Sequence, residues 1–421
     1  MEGNPVDTLS SIDQLREEML SRSDALSLTL PEDKFLEVIG RRIDDGVKFW
    51  NRELNLAKIR QINEMRYLNK NFEASGQPDL YEHEVMYRDD RIFVSVETLA
   101  TNLVSKIPVP EVIEAQETDA SRELAENYGK VLYRKSEDLH LKAKLQMVAR
   151  HLLIGYRIGC MKTIWDFDGG RLKSDGSHVG DVYINFVRPQ KLVIDAEVEG
   201  PDKVPMVCEN IKMSVEEIGF KFPNKKDEFI KKVGALTGKT HVGMNTPVAF
   251  WECWFSYFDE KGNLREGLGW KYHDVALDYG INPFYNYDED PVKTNFLDSP
   301  PKPYTFFNFL NTGKWIFDET SLTEQAASQQ DILERRGRQI VESADQATSA
   351  KVFNTQMISA PDAEKYVGDP RQNILVKGDV RMAFARIPPN ELGRVVFEDK
   401  IDARREIDNI FATHAPLRGE R

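Results

Sequence analysis

Apolar residues recur at helical spacing from Pro31 onward. The stretch "PEDKFLEVIGRRIDDGVKFWNRELNLAKIRQINEMRYL" sets Phe35, Ile39, Ile43, Val47, Phe49 and Trp50 near one face, which predicts a helix. A loop follows at "NKNFEASGQPDL". "RIFVSVETLATNLVSKIPVPEVI" begins as a strand or buried run, turns helical, and breaks at Pro108 and Pro110. "DASRELAENYGKVLYRKSEDLHLKAKLQMVARHLLIGY" predicts a long helix or a helix pair. "RIGCMKTIWDFDGGRLKSDGSHVGDVYINFVRP" then predicts strands joined by Gly-Asp turns. "MSVEEIGFKFPNKKDEFIKKV" is a small helical unit opening on a Ser214 cap with Glu217 as its box partner. "VAFWECWFSYFDEKGNLREGLGWKYHDVALDYG" predicts a β-meander with a turn at Lys261-Gly262-Asn263. Residues 1–30 are polar, carry one short helical signal, and predict an arm.

The last hundred residues differ in character. After the extended, Pro-rich "DSPPKPYTFFNFL", residues 318–350 predict a helix of about thirty residues, roughly 45 Å long. Its stripe is thin: Leu322, Ala326, Leu333, Ile340 and Ala344, with Gly337 inside it. Residues 351–387 follow as a compact unit. "KVFNTQMI" predicts a strand, "PDAEKYVG" one or two helical turns, and "NILVKGDVRMAFARI" a hairpin turning near Gly378-Asp379. A second long polar helix starts at "PPNEL" with Asn390 as its cap and runs to about Thr413, with Val396, Ala403, Ile407, Ile410 and Phe411 as its seam. Helices this polar either bridge domains or pack against repeated neighbours through narrow seams. In a ring, each seam would find a neighbour and the polar faces would line water.

Composition narrows the classes. The chain has 421 residues, enough for one large domain or two to three ordinary ones. Its net charge of −13 gives no general affinity for nucleic acid or acidic membrane. Cys160, Cys208 and Cys253 are few, odd in number and far apart, which argues against a disulfide framework or a cysteine zinc site and fits a reducing compartment. The N-terminus has no signal-like apolar region, and no apolar run approaches a membrane span. The expectation is a soluble protein made in a cytoplasm, with no membrane and no cofactor.

The catalytic motifs fail on spacing. "GALTGKT" at Gly234–Thr240 has three residues between its glycines, where a phosphate-wrapping loop needs four, and reads as a surface loop. Asp166, Asp168, Asp175 and Asp181 cluster as if to hold a hard cation, but the EF-hand register fails and Asp-Gly pairs are ordinary hairpin turns. The seven histidines include no HExxH and no close pair; His140 and His151 read as surface or satisfied packing residues. Trp251, Trp254, Phe255, Tyr257 and Trp270 alternate at strand spacing and read as sheet core, since a base-stacking platform needs interleaved basic residues. Lys225, Lys226, Lys231 and Lys232 read as a solvated helix face. No catalytic constellation remains.

Two polar helices flanking a small β-α-β-β unit resemble the portal protein of tailed bacteriophages. "FDETSLTEQAASQQDILERRGRQI" is similar to the entry of that family's first stem helix, "KVFNTQMISAPDAEKYVGDPRQNILVKGDVRMAFARI" to its clip, "ELGRVVFEDKIDARREIDNIFAT" to its second stem helix, and "HAPLRGER" to the start of its tunnel loop. Upstream, "RIFVSVETLATNLVSKIPVPEV", "HLLIGYRIGCMKTIWDF" and "INFVRPQKLVIDAEVEG" resemble segments of its wing. The likeness lies in the order and spacing of segments over most of residues 31–421.

The resemblance implies an α+β, portal-like fold: an arm (1–30), a mixed α/β wing (31–317), a first stem helix (318–350), a clip (351–387), a second stem helix (388–413) and the start of a tunnel loop (414–421). Family members continue into further helices and a crown, so a truncated or disordered remainder is expected. It implies a non-enzymatic homo-oligomeric ring, expected to be a dodecamer, at the capsid vertex of a virion assembled in the host cytoplasm. Double-stranded DNA is packaged and ejected through the ring. The implied partners are the terminase large subunit, the head-tail adaptor, and the major capsid and scaffolding proteins. Docking falls to the clip, with Lys365, Tyr366, Arg371, Lys377 and Arg381 as surface contacts. Stem packing falls to Leu333, Ile340, Val396 and Ile407, and transient DNA contact to His414, Arg418 and Arg421. Another ring-forming head-tail connector, or a metal-dependent nuclease using Asp166, Asp168 and Asp175, stands as the alternative.

Overall fold

A computed structural model of the chain describes residues 31–68, 87–105, 112–114, 118–166, 169–173, 178–201, 204–238, 242–258, 264–282, 284, 302–349, 351–354, 356–361, 377, 384–386 and 392–412. The architecture is mixed α+β, and the chain divides into two compact units. The first takes residues 1–64 and 99–324; the second takes 65–98 and 325–421.

The first unit is built on two antiparallel sheets. Helix α1 (Glu32–Val47) runs through a π-helical turn at Lys48–Glu53 into α2 (Leu56–Tyr67). Helix α3 (Arg91–Leu103) begins among residues of the second unit and ends in the first, and α4 (Asp119–Asp138) and α5 (Leu141–Ile154) follow. Strands β1 (Gly159–Asp166) and β2 (Asp181–Phe186) pair from Met161↔Phe186 to Asp166↔Asp181, as the Asp-Gly turn chemistry predicts. Strands β3 (Leu192–Ile194) and β4 (Met206–Ser214) follow, then α6 (Val215–Lys221) and α7 (Lys226–Thr237). The meander is β5 (Pro247–Phe258), β6 (Leu264–Tyr272) and β7 (Val275–Ile281), and β8 (Tyr304–Phe307) returns to β1. The sheet orders are β2-β1-β8 and β3-β4-β5-β6-β7.

Both faces of the larger sheet are covered, which explains the nearly unbroken apolar run of β5. Phe35, Ile39 and Ile43 of α1 pack with Cys253 and Phe255 on one face. Val215, Ile218, Phe229 and Val233 of α6 and α7 pack with Val248 and Phe250 on the other. Further along that face, Trp254 joins Trp50, Ile158, Cys160, Tyr304 and Phe317. The predicted capping box at the start of α6 is present: Glu217 N–H donates to Ser214 Oγ at 3.2 Å, and Ser214 N–H donates to Glu217 Oε2 at 2.7 Å.

A buried ionic network links the sheets. Lys162 of β1 donates to Glu252 of β5, and to Glu209 of β4 at 3.2 Å. Indole N–H groups of Trp254 (2.7 Å) and Trp270 (3.1 Å) donate to Glu252, and the Tyr304 hydroxyl donates to Glu209 at 3.1 Å. Burial disfavours both charges, but the partners outweigh it: Glu252 is held below, and Lys162 above, its ordinary value.

Three expectations change here. "RIFVSVETL" is helical throughout as α3, because Ile92, Val96 and Ala100 recur every four residues and are buried. "GALTGKT" begins inside α7, and Gly238 ends that helix in the left-handed region at φ 66°, so the motif is a helix terminus. His151 is buried beside Tyr156 and Phe186, and its Nδ1 has no hydrogen-bond partner, so it is neither a surface nor a satisfied histidine. Burial, reinforced by nearby Arg188, Arg150 and Arg60, pushes it down to about 4.

Candidate assembly surface

The long helix expected over 318–350 forms as a short turn, α8 (Leu322–Gln325), and then α9 (Ala327–Ser349), 23 residues or roughly 35 Å. Strands β9 (Lys351–Phe353) and β10 (Phe384–Arg386) pair antiparallel, with Phe384 opposite Phe353. The second helix, α10, runs Arg394–Ile410. It starts later than expected because Gly393 holds an extended backbone (φ −59°, ψ 144°). Asn390 lies outside the described residues, as do the turn at Gly378-Asp379 and the helical segment expected around residue 365.

Helices α9 and α10 pack on each other within the second unit. Leu333 and Ile407 are fully buried, and Ile340 and Val396 half-buried, so the stripe read as a seam toward other chains is largely consumed inside this one. The segment 87–91 straps the pair. Tyr87 covers Gly337 of α9, and Lys400 Nζ of α10 donates to the Tyr87 hydroxyl at 2.7 Å while lying 4.4 Å from its ring centroid. Gln330 donates to the Asp89 carbonyl at 2.7 Å, Arg404 reaches the Asp89 carboxylate at 2.9 Å, and Arg91 pairs with Asp408. Arg336 and Asp399 bridge the helices at 2.7 Å. Burial pushes the carboxyls of Glu334 and Asp331 upward.

Two exterior surfaces remain on α10. One flank carries Asp399, Asp402, Ala403 and Glu406, which with Gln329, Ile332, Arg335 and Arg336 of α9 line a groove of about 400 Å³ and of mixed charge. The far flank carries an apolar ridge, Phe397 and Ile401, 45% and 58% exposed. Arg394, Arg404 and Arg405 surround that ridge, paired with Glu398 (2.7 Å), Asp89 (2.9 Å) and Asp402 (3.6 Å). At about 100° per residue the groove and the ridge lie roughly 150° apart around the helix.

The other sequence candidates fall as follows. Lys377 is exposed, and its N–H donates to the Met357 carbonyl at 3.1 Å. Lys365, Tyr366, Arg371 and Arg381, and His414, Arg418 and Arg421, lie outside the described residues. Asp166 ends β1; Asp168 and Asp175 lie outside. Among the described residues no group of three or more His, Cys, Asp or Glu is placed to hold a metal ion, and no helix is long and apolar enough to cross a membrane. The ridge was missed at the sequence level because Phe397 and Ile401 fall outside the buried stripe; their i, i+4 spacing was the available signal. No protein-family model matches the chain, and no curated protein matches it in sequence.

Proposed function

We propose that this chain is a portal protein of a tailed bacteriophage, the ring at the capsid vertex through which double-stranded DNA is packaged and ejected. The observation that carries the reading is the pair α9 and α10: two long polar helices, joined through a small antiparallel β unit, with their shared apolar stripe turned toward each other. The two exterior flanks of α10 differ in shape and charge. Unlike flanks on nearly opposite sides suit head-to-tail assembly, which closes into a ring, whereas a two-fold dimer uses one surface twice.

In this reading residues 31–317 are the wing, α9 and α10 are stem helices, and residues 351–387 are the clip where the terminase large subunit and the head-tail adaptor dock. Major capsid and scaffolding proteins meet the ring from outside. The chain catalyses nothing itself. A conduit must pass DNA without gripping it, and phosphate affinity grows with each Lys or Arg contact. Helices of mixed charge in a chain of net charge −13 suit weak contact. Sedimentation velocity on the purified chain tests the reading. A single closed species of about a dozen subunits is expected; a monomer or two-fold dimer at every concentration overturns it.

A further inference from the structure

We infer that Cys208 and Cys253 are a redox-sensitive pair, which a small disulfide such as oxidised glutathione closes into a cross-strand bond stapling β4 to β5. The inference stands apart from the ring reading and rests on the larger sheet alone.

Register carries it. The two cysteines lie directly opposite each other on the antiparallel strands β4 and β5. Ser256 N–H donates to the Pro205 carbonyl at 2.7 Å, and ladder bonds recur at every second opposed pair. Val207 and Trp254 therefore form the next bonded pair, and Cys208 and Cys253 fall at a non-bonded one. At such a pair the Cα atoms stand about 4.5 Å apart and the side chains are closest. A disulfide takes Cα separations of roughly 4.4–6.8 Å. Both side chains leave the sheet on the α1 face, among Phe35, Ile39 and Phe255, and the two thiols are hydrogen-bonded to each other. Their separation in sequence conceals this; the β4–β5 pairing creates it. Cys160 sits in a different cluster, opposite Phe306.

The closed pair is protected. Both cysteines are 0% exposed, packed against α1. Burial, reinforced by Cys253, holds the Cys208 thiol well above its ordinary value, so little thiolate is present. Exchange needs a thiolate and access, so it follows local lifting of α1. One cysteine thiolate then attacks the small disulfide, forming a mixed disulfide and releasing one thiolate of the reagent. The second cysteine, also as thiolate, attacks the protein sulfur of that bond and expels the other. The protein loses two electrons and two protons, and the reagent is reduced to two thiols.

The test incubates the full, folded chain with oxidised glutathione, blocks remaining thiols with iodoacetamide in urea, and maps the peptides by mass. One species linked through Cys208 and Cys253 is expected, two hydrogens lighter than the reduced chain before blocking, with Cys160 alkylated. It is expected to melt roughly 5 °C or more above the reduced chain, because the bond closes the loop that holds α6 and α7. Dithiothreitol should reverse the rise. Cys253→Ala is expected to show neither change; should that variant fail to fold, the parent before and after oxidation decides alone. Free Cys208 and Cys253 after oxidation, a mixed disulfide that never closes, or a link through Cys160 would each overturn the inference. So would a linked chain that melts no higher than the reduced one.

Discussion

The Tyr87 ring lies so close over Gly337 that a Cβ at that glycine would come within 2.0 Å of Tyr87 Cε1. A glycine inside a helix costs about 1 kcal/mol relative to alanine, so its presence midway along α9 calls for a reason. The ring supplies it. Lys400 of α10 holds the same ring through its hydroxyl and its face.

Gly337→Ala is therefore expected to destabilise the second unit by about 1–3 kcal/mol through overpacking, against its intrinsic helix gain. With Tyr87→Ala already in place, the same substitution is expected to stabilise by up to about 1 kcal/mol. Urea midpoints of the four proteins in the double-mutant cycle measure both. Additive effects would mean that the ring does not press on the glycine.

Lys162 neutralises the buried carboxylate of Glu252 and the half-buried one of Glu209. Lys162→Met leaves Glu252 and Glu209 without it, and a loss of roughly 3–5 kcal/mol is expected. Adding Glu252→Gln should recover part of it. The folded-state value of Glu252 lies below its ordinary 4.5. Its contribution is thus full above pH 4.5 and fades as the pH falls through the folded value. A denaturant midpoint unchanged in Lys162→Met would remove the network from the account.

His151 gives a second, separable acid sensitivity. Folded, it titrates at about 4, against 6.5 when free, so the unfolded chain takes up its proton first as pH falls. Stability is full above pH 6.5 and lost toward pH 4, by ~3 kcal/mol at 1.36 kcal/mol per pH unit. His151→Phe is expected to flatten the profile between those values. A profile with the same slope in the variant would assign the sensitivity elsewhere.

Much of this was legible where the determinants are local. The Ser214–Glu217 box, the β1–β2 hairpin and the two-faced core strand β5 each declare themselves within a few residues, through capping, turn chemistry and aromatic spacing. The strand-like start of α3 misled because Val94 and Val96 are β-branched, while the four-residue interval of Ile92, Val96 and Ala100 decided the outcome through burial. The thin stripe of α9 was visible, but its occupant was not. Leu333 is buried inside the chain, and the strap of Tyr87, Asp89 and Arg91 comes from far upstream with no local sign of its target. The same holds for His151, whose isolation follows from tertiary packing.

The clip assignment makes its own prediction. Lys377 is exposed, so Lys377→Glu should leave folding and assembly intact and weaken capture of the head-tail adaptor by tenfold or more, since charge reversal at a docking surface removes one attraction and adds one repulsion. Biosensor titration of adaptor against rings of each protein measures it. Equal affinities would move the docking surface off this residue.

The central claim is that the chain closes into a conduit for DNA. End-on electron microscopy of the purified full chain tests it most directly. The account predicts rings of about twelve subunits around a central hole that passes duplex DNA. Solid particles, open filaments or two-fold dimers without a hole would contradict it.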